Sequence, residues 1–275
     1  RTRHISPIPD RAFFAAMVLA MDDGVGRVMQ TLKSCGVDEK TIIIFLSDNG
    51  TPMGQGLKRS AKQNPVRRGH TLMSSPGPFR GFKGDTFEGG IRVPFIIRWP
   101  GKISPGIRYE QPVSSLDIVP TLLAQFHIQR PPSGFPFDGV NLLPYLQNPQ
   151  KTERPHITFY WRRDNDYAIR HHDWKLEWND RGSEKLTIML FDLKKDPGEY
   201  IDRCMALPTL AQKLQDMFDA WDSRLPDNPK WGGPWNRNRQ FANGKRTNVT
   251  EFNRNPPHPS RARRKIKIPA SKPHR

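Results

Sequence analysis

Thr41-Ile42-Ile43-Ile44-Phe45-Leu46-Ser47-Asp48-Asn49-Gly50 is an apolar run, rich in β-branched residues, that stops abruptly at a polar turn. Such a run bounded by turn residues predicts a strand buried on both faces, as inside a parallel sheet. Just upstream, Phe13, Met17, Met21, Val25, Val28 and Leu32 recur at steps of three and four. That period predicts a helix over residues 10–35, with Asp10 as its N-cap and Gly36 just past its end. A helix feeding a buried strand that ends in polar residues is an α/β pattern. Open α/β sheets place ligands at the carboxyl ends of their strands.

Outward from this stretch, residues 51–79 read as a long loop carrying Gly54, Gly56, Pro65, Pro76 and Pro78. Loops of that length without structure of their own are usually functional or disordered. The glycine-rich segment Arg80-Gly-Phe-Lys-Gly-Asp-Thr-Phe-Glu-Gly-Gly-Ile-Arg-Val-Pro then runs into a second apolar strand, Phe95–Trp99, and a helix follows over Ser114–Gln125. After Asp138-Gly-Val-Asn-Leu-Leu-Pro the pattern changes. Ile157–Trp161, Tyr167–Arg170, Trp174–Trp178 and Leu186–Phe191 predict a small antiparallel sheet, and Leu207–Leu225 an amphipathic helix. The expected organisation is a first region over 1–150, an α+β subdomain over 151–236 and a tail over 237–275.

The 275 residues carry a formal net charge of +17, which suits an anionic substrate or polymer. Part of that charge is local. Residues 252–275 hold eight Lys or Arg and no acid, and without them the charge falls from +17 to +9. This Pro-rich tail has no apolar period and reads as disordered; its charge leaves a non-catalytic polyanion-binding protein open as an alternative function, with the tail as one contact. No stretch reaches the roughly 20 apolar residues needed to cross a bilayer. Residues 1–20 show no secretory leader, and a start at Arg1 rather than Met reads as a truncation or processing point. Cys35 and Cys204 are far apart and outside any metal-ligand spacing, so both are expected as free thiols.

Asp48 and Asn49 offer a carboxylate and an amide oxygen at a strand end, donors suited to hard cations such as Ca²⁺ and Mg²⁺ rather than to zinc. Asn-Gly is also a common plain turn, so the tripeptide alone leaves both readings open. Lys83 lies between Gly81 and Gly84, where an ammonium could meet an anion as a point charge; the plainer reading is a solvated lysine. Asp22 and Asp23 are helical neighbours that do not face the same way, which favours a solvated face. His70, in the long loop, is a candidate for pocket lining, although such a histidine more often faces solvent. His171 and His172 read as turn residues of the small sheet.

Taken in series, Ser47-Asp-Asn-Gly, the segment from Arg80 to Pro94, Trp99-Pro-Gly-Lys-Ile, Ser115-Leu-Asp-Ile-Val-Pro-Thr-Leu and Leu190-Phe-Asp-Leu-Lys-Lys-Asp-Pro-Gly-Glu resemble the sulfatase family in order and spacing. The resemblance covers residues 10–225. It implies an alkaline-phosphatase-like α/β fold, present in part, with a small C-terminal antiparallel sheet and helix. It further implies a divalent cation, usually Ca²⁺ with Mg²⁺ as the alternative, for which Asp48 and Asn49 match one pair of ligands. Lys83 matches a lysine that contacts the substrate sulfate. The implied substrates are sulfate esters of carbohydrates or aryl alcohols. In the two-zinc phosphoesterase relatives, Asp-His stands where this chain has Asp48-Asn49, and an amide is a poor zinc ligand.

The resemblance also implies a formylglycine nucleophile, made from Cys or Ser in a short motif. Cys35 is followed by Gly-Val-Asp and Cys204 by Met-Ala-Leu, and Ser260 sits in the basic tail; none is read as that nucleophile. The formylglycine is expected upstream of this chain, which by itself is expected to be inactive. A periplasmic or secreted parent protein is expected.

Overall fold

A computed structural model describes residues 9–52, 74–128, 136–150, 153–163, 166–179 and 187–225. His70, Ser260 and the basic tail lie outside the described residues. The chain divides into two compact units: Arg1–Phe159 with Pro197–Tyr200, and Tyr160–Asp196 with Ile201–Arg275.

The first unit opens with helix α1, Pro9–Ser34. Its described span already includes Pro9, so Asp10 lies inside the helix rather than at the cap. Its other end is as expected. Gly36 takes a left-handed φ of +68. Its N–H donates to Lys33 at 3.0 Å, and that of Val37 donates to Leu32 at 3.1 Å. This paired closure is the Schellman motif. Much of the periodic apolar face is uncovered, however, although Val25 and Leu32 are half-buried. Phe13 and Val28 are each 58% exposed and Met17 53%.

A short 3-10 turn, Asp38–Lys40, leads into β1, Ile43–Leu46. β1 pairs antiparallel with β2, Phe95–Arg98, in a register that sets Ile43 opposite Arg98 and Leu46 opposite Phe95. Both the parallel neighbour and the full burial expected for this run are therefore corrected. Among the described residues β1 is half-buried, because β2 alone flanks it. Between the strands lies the one-turn helix α2, Glu88–Ile91.

Beyond β2, a 3-10 turn over Ser115–Asp117 runs directly into α3, Ile118–Ala124. Asp117 is fully buried and organises this corner. Its carboxylate accepts from the amide of Ser114 at 2.7 Å, from that of Val140 at 2.9 Å and from His156 Nε2 at 2.7 Å. Ser114 returns a bond by accepting from Leu116 N–H at 3.2 Å, completing a capping box. Thr121 donates through its hydroxyl to Val140 and accepts the amide of Leu142, which secures α4, Leu143–Gln147.

The second unit is built on an antiparallel meander in the order β3-β4-β5-β6, where β3 spans Thr158–Arg163, β4 Asp166–His171, β5 Trp174–Asn179 and β6 Thr187–Asp192. Alternate residues of the strands meet the apolar stripe of α5, Pro208–Asp222. Ile169, Leu176, Trp178, Ile188 and Leu190 pack with Leu214 and Phe218, all fully buried. Each such aliphatic or phenyl side chain contributes about 1.5–3 kcal/mol relative to exposure. Tyr160 stacks on Trp221 at 4.8 Å, and Arg162 pairs with Asp222 at 2.8 Å. Both cysteines are free, Cys35 exposed and Cys204 buried. Burial, reinforced by the Asp202 carboxylate, pushes the Cys204 thiol up to about 12.

Candidate functional site

The site is assembled where β1 ends. Ser47 N–H still donates to the carbonyl of Pro94 at 3.2 Å, and the Ser47 hydroxyl donates to the Asn49 carbonyl at 2.9 Å, tightening the turn. Asp48 is exposed, Asn49 half-buried and Gly50 buried. Gly50 N–H donates to the carbonyl of Gly90 at 2.9 Å. A β-carbon on Gly50 would collide with the Gly89 carbonyl oxygen and lie 2.7 Å from the Gly90 Cα. The glycine is required because two backbones touch there.

That contact brings a distant segment alongside. The loop Arg80–Asp85 folds back on α2. Gly89 N–H donates to Arg80 at 2.6 Å, and any β-carbon on Gly89 or Gly90 would strike the carbonyls of this loop. Gly81 and Gly84 take left-handed φ values of +82 and +99. The Asp85 carboxylate accepts the amide of Phe82 at 3.0 Å while Asp85 N–H returns to the Phe82 carbonyl at 2.8 Å. At the crown sits Lys83, exposed, its own amide donating to the carbonyl of Thr51 at 2.7 Å. The Thr51 hydroxyl is in turn hydrogen-bonded to that of Ser74.

Asp48, Asn49 and Lys83 thus belong to two segments joined by backbone hydrogen bonds. An exposed carboxylate, an adjacent amide and a lysine on the neighbouring loop can meet a cation and an anion together. Asp48 and Asn49 supply oxygen donors, the chemistry of a hard-cation site, but only part of the six to eight that calcium takes. Among the described residues, no group of three or more His, Cys, Asp or Glu could hold a metal ion. Asp22 and Asp23 are exposed on α1.

Two sequence-matched family models cover most of these residues. The sulfatase model matches residues 6–128. The model for the C-terminal part of N-sulphoglucosamine sulphohydrolase matches residues 82–219. The chain belongs to the sulfatase family. Steryl-sulfatase of Mus musculus is 30% identical over 230 residues, 74% of this chain and 35% of that protein. N-acetylgalactosamine-6-O-sulfatase of Bacteroides thetaiotaomicron is 31% identical over 219 residues, 76% of this chain and 41% of that protein. The chain therefore spans well under half the length of these sulfatases. Among solved structures, Ps i-CgsB in complex with k-i-k-neocarrahexaose is 29% identical with a TM-score of 0.62, over 77% of this chain and 43% of that one. The fold is accordingly α/β and alkaline-phosphatase-like in part, as the sequence motifs implied.

Sequence reading missed one neighbour of these candidate residues. Glu199 closes the Asp196-Pro-Gly-Glu end of a motif noted only as a signature, yet it is fully buried in the first unit, against the loop that carries Lys83. Its positive φ of 58 is unusual for a residue with a side chain. Nothing in the sequence marks the contact. The histidine pair lies in the second unit at the β4–β5 turn, His172 with φ 54 and its ring 4.6 Å from that of His171. Burial, followed by the fields of His172 and Lys213, lowers the His171 pKa below the ordinary histidine value.

Proposed function

We propose that this chain is the C-terminal portion of a cation-dependent sulfatase that hydrolyses sulfate esters of carbohydrate or aryl substrates. The observation that carries the reading is the bond from the Lys83 amide to the Thr51 carbonyl at 2.7 Å. It sets a cationic loop beside the Asp48-Asn49-Gly50 turn.

In this reading the Asp48 carboxylate and the Asn49 amide oxygen would hold a calcium ion, with magnesium as the alternative. The Lys83 ammonium would bind a sulfate oxygen as a point charge and orient the ester. A bound cation would add Lewis-acid polarisation of a sulfate oxygen. The remaining cation ligands and the formylglycine nucleophile would come from sequence outside these 275 residues, so the chain alone would be inactive. The uncovered apolar face of α1 supports this, being a surface that the rest of a sulfatase domain would bury. A carbohydrate sulfate is favoured by the relatives whose names or complexes include a sugar.

The test extends the chain with its upstream coding sequence and expresses it in a host that makes formylglycine. Calcium-dependent release of p-nitrophenol from p-nitrophenyl sulfate, or of sulfate from sulfated oligosaccharides, is expected. Failure on every such ester, or a clear preference for phosphate esters, would overturn the proposal.

A further inference from the structure

We propose that Glu199 is a positioning residue for the Lys83 loop, acting from a distant stretch of the sequence; its bearing on catalysis rests on the sulfatase reading above. Glu199 lies 111 residues from Glu88 and 119 from Arg80, yet it bonds to both. Its carboxylate Oε2 accepts the amide of Glu88 at 2.8 Å, at the start of α2. Its carbonyl accepts from Arg80 Nη1 at 3.0 Å. The next residue adds a third tie, Tyr200 Oη donating to the carbonyl of Pro78 at 3.1 Å. The short segment Pro197–Tyr200 thereby grips both flanks of the loop whose crown is Lys83.

The loop needs such a grip. Gly81 and Gly84 give it permissive backbone on either side of Lys83. Phe87, the cap residue of α2, has no side-chain acceptor for the helix amides, and Glu199 fills that role from outside. The Arg80 guanidinium also lies over the Phe87 ring, its carbon 4.3 Å from the ring centroid. Glu199 itself is fully buried, so it touches neither solvent nor substrate. Its influence on a sulfate ester would pass through the placement of Lys83.

The experiment compares the chain with its Glu199→Ala and Glu199→Gln variants by amide hydrogen exchange, and the upstream-extended enzyme by a double-mutant cycle with Lys83→Ala. The Lys83 amide is the informative probe, because it bonds to Thr51 and not to Glu199. Glu199→Ala is expected to speed its exchange about tenfold or more, the effect of leaving a buried amide without its acceptor. Amides of β4 and β5 are expected to keep their protection. Glu199→Gln retains an oxygen acceptor and is expected to restore most of it. In the enzyme, Glu199→Ala is expected to lower kcat/KM when Lys83 is present and to add little once Lys83 is alanine. An unchanged Lys83 amide, protection lost uniformly through the chain, or additive kinetic effects would each overturn the proposal. Absence of turnover in every form would instead defeat the sulfatase reading, and the exchange of the Lys83 amide would still decide the positioning role.

Discussion

The amide of Lys83 donates to the carbonyl of Thr51 across 2.7 Å, joining the turn after the first strand to a glycine loop beyond residues 53–73. Two segments that share no local sequence signal are held in one place by this bond and by Gly50 N–H on the Gly90 carbonyl at 2.9 Å. The consequences can be measured one residue at a time.

Gly50→Ala is expected to destabilise the first unit by about 1–3 kcal/mol or more, because the new methyl overpacks against backbone that cannot yield. Gly26→Ala is the control. Nothing lies within 4 Å of a β-carbon there, and alanine in mid-helix is expected to stabilise by about 0.5–1 kcal/mol. Urea denaturation followed by circular dichroism should give the two opposite signs.

Lys83→Ala in the upstream-extended enzyme is expected to lower kcat/KM for sulfate esters by about tenfold or more, the order of one charge-assisted contact. Asp48→Ala should raise the calcium concentration needed for half-maximal turnover, whereas Lys83→Ala should leave it nearly unchanged. Calcium titration of both variants separates the roles.

Asp117→Ala removes the acceptor of three bonds at a fully buried site. Two backbone amides and His156 lose their shared partner, and a loss of about 3–5 kcal/mol is expected. Asp117→Asn keeps one oxygen and should cost less. Thermal denaturation of the two variants gives the ranking.

Cys204 is expected to resist thiol reagents at pH 8, since a thiol pushed up to about 12 is almost wholly protonated there. Cys35 is exposed and should label. One equivalent of label in native protein and two in denaturant is the expected result.

His171 has a folded pKa below its unfolded value, so between the two the unfolded chain binds more protons. The stabilisation associated with its neutral form is then fully present above the ordinary value of 6.5 and is lost as pH falls through that value towards the folded pKa. His171→Gln should flatten this part of the stability–pH curve, measured by denaturant titration in steps across that window.

Much of the architecture was legible because it is local. The apolar period of α1, the left-handed Gly36 that ends it and the alternating strands of the small sheet each follow from neighbours a few residues apart. The run at Thr41–Leu46 announced a strand equally clearly, but not its partner. Strand direction depends on which segment returns beside it, and β2 arrives antiparallel after an intervening helix. Asp10 misled for a similar reason: a good cap residue by composition, it lies inside a helix that already includes Pro9.

For the site, the sequence alone determined the residue chemistry: oxygen donors at Asp48 and Asn49, a cation at Lys83, and the family motifs in their order. Tertiary structure decided that these segments are neighbours, that Gly50 is glycine because Gly89 and Gly90 press against it, and that Glu199 braces the loop. The reason is physical. Propensity and motif are written in short stretches of chain, whereas a carboxylate that accepts an amide 111 residues away leaves no local trace until the chain has folded.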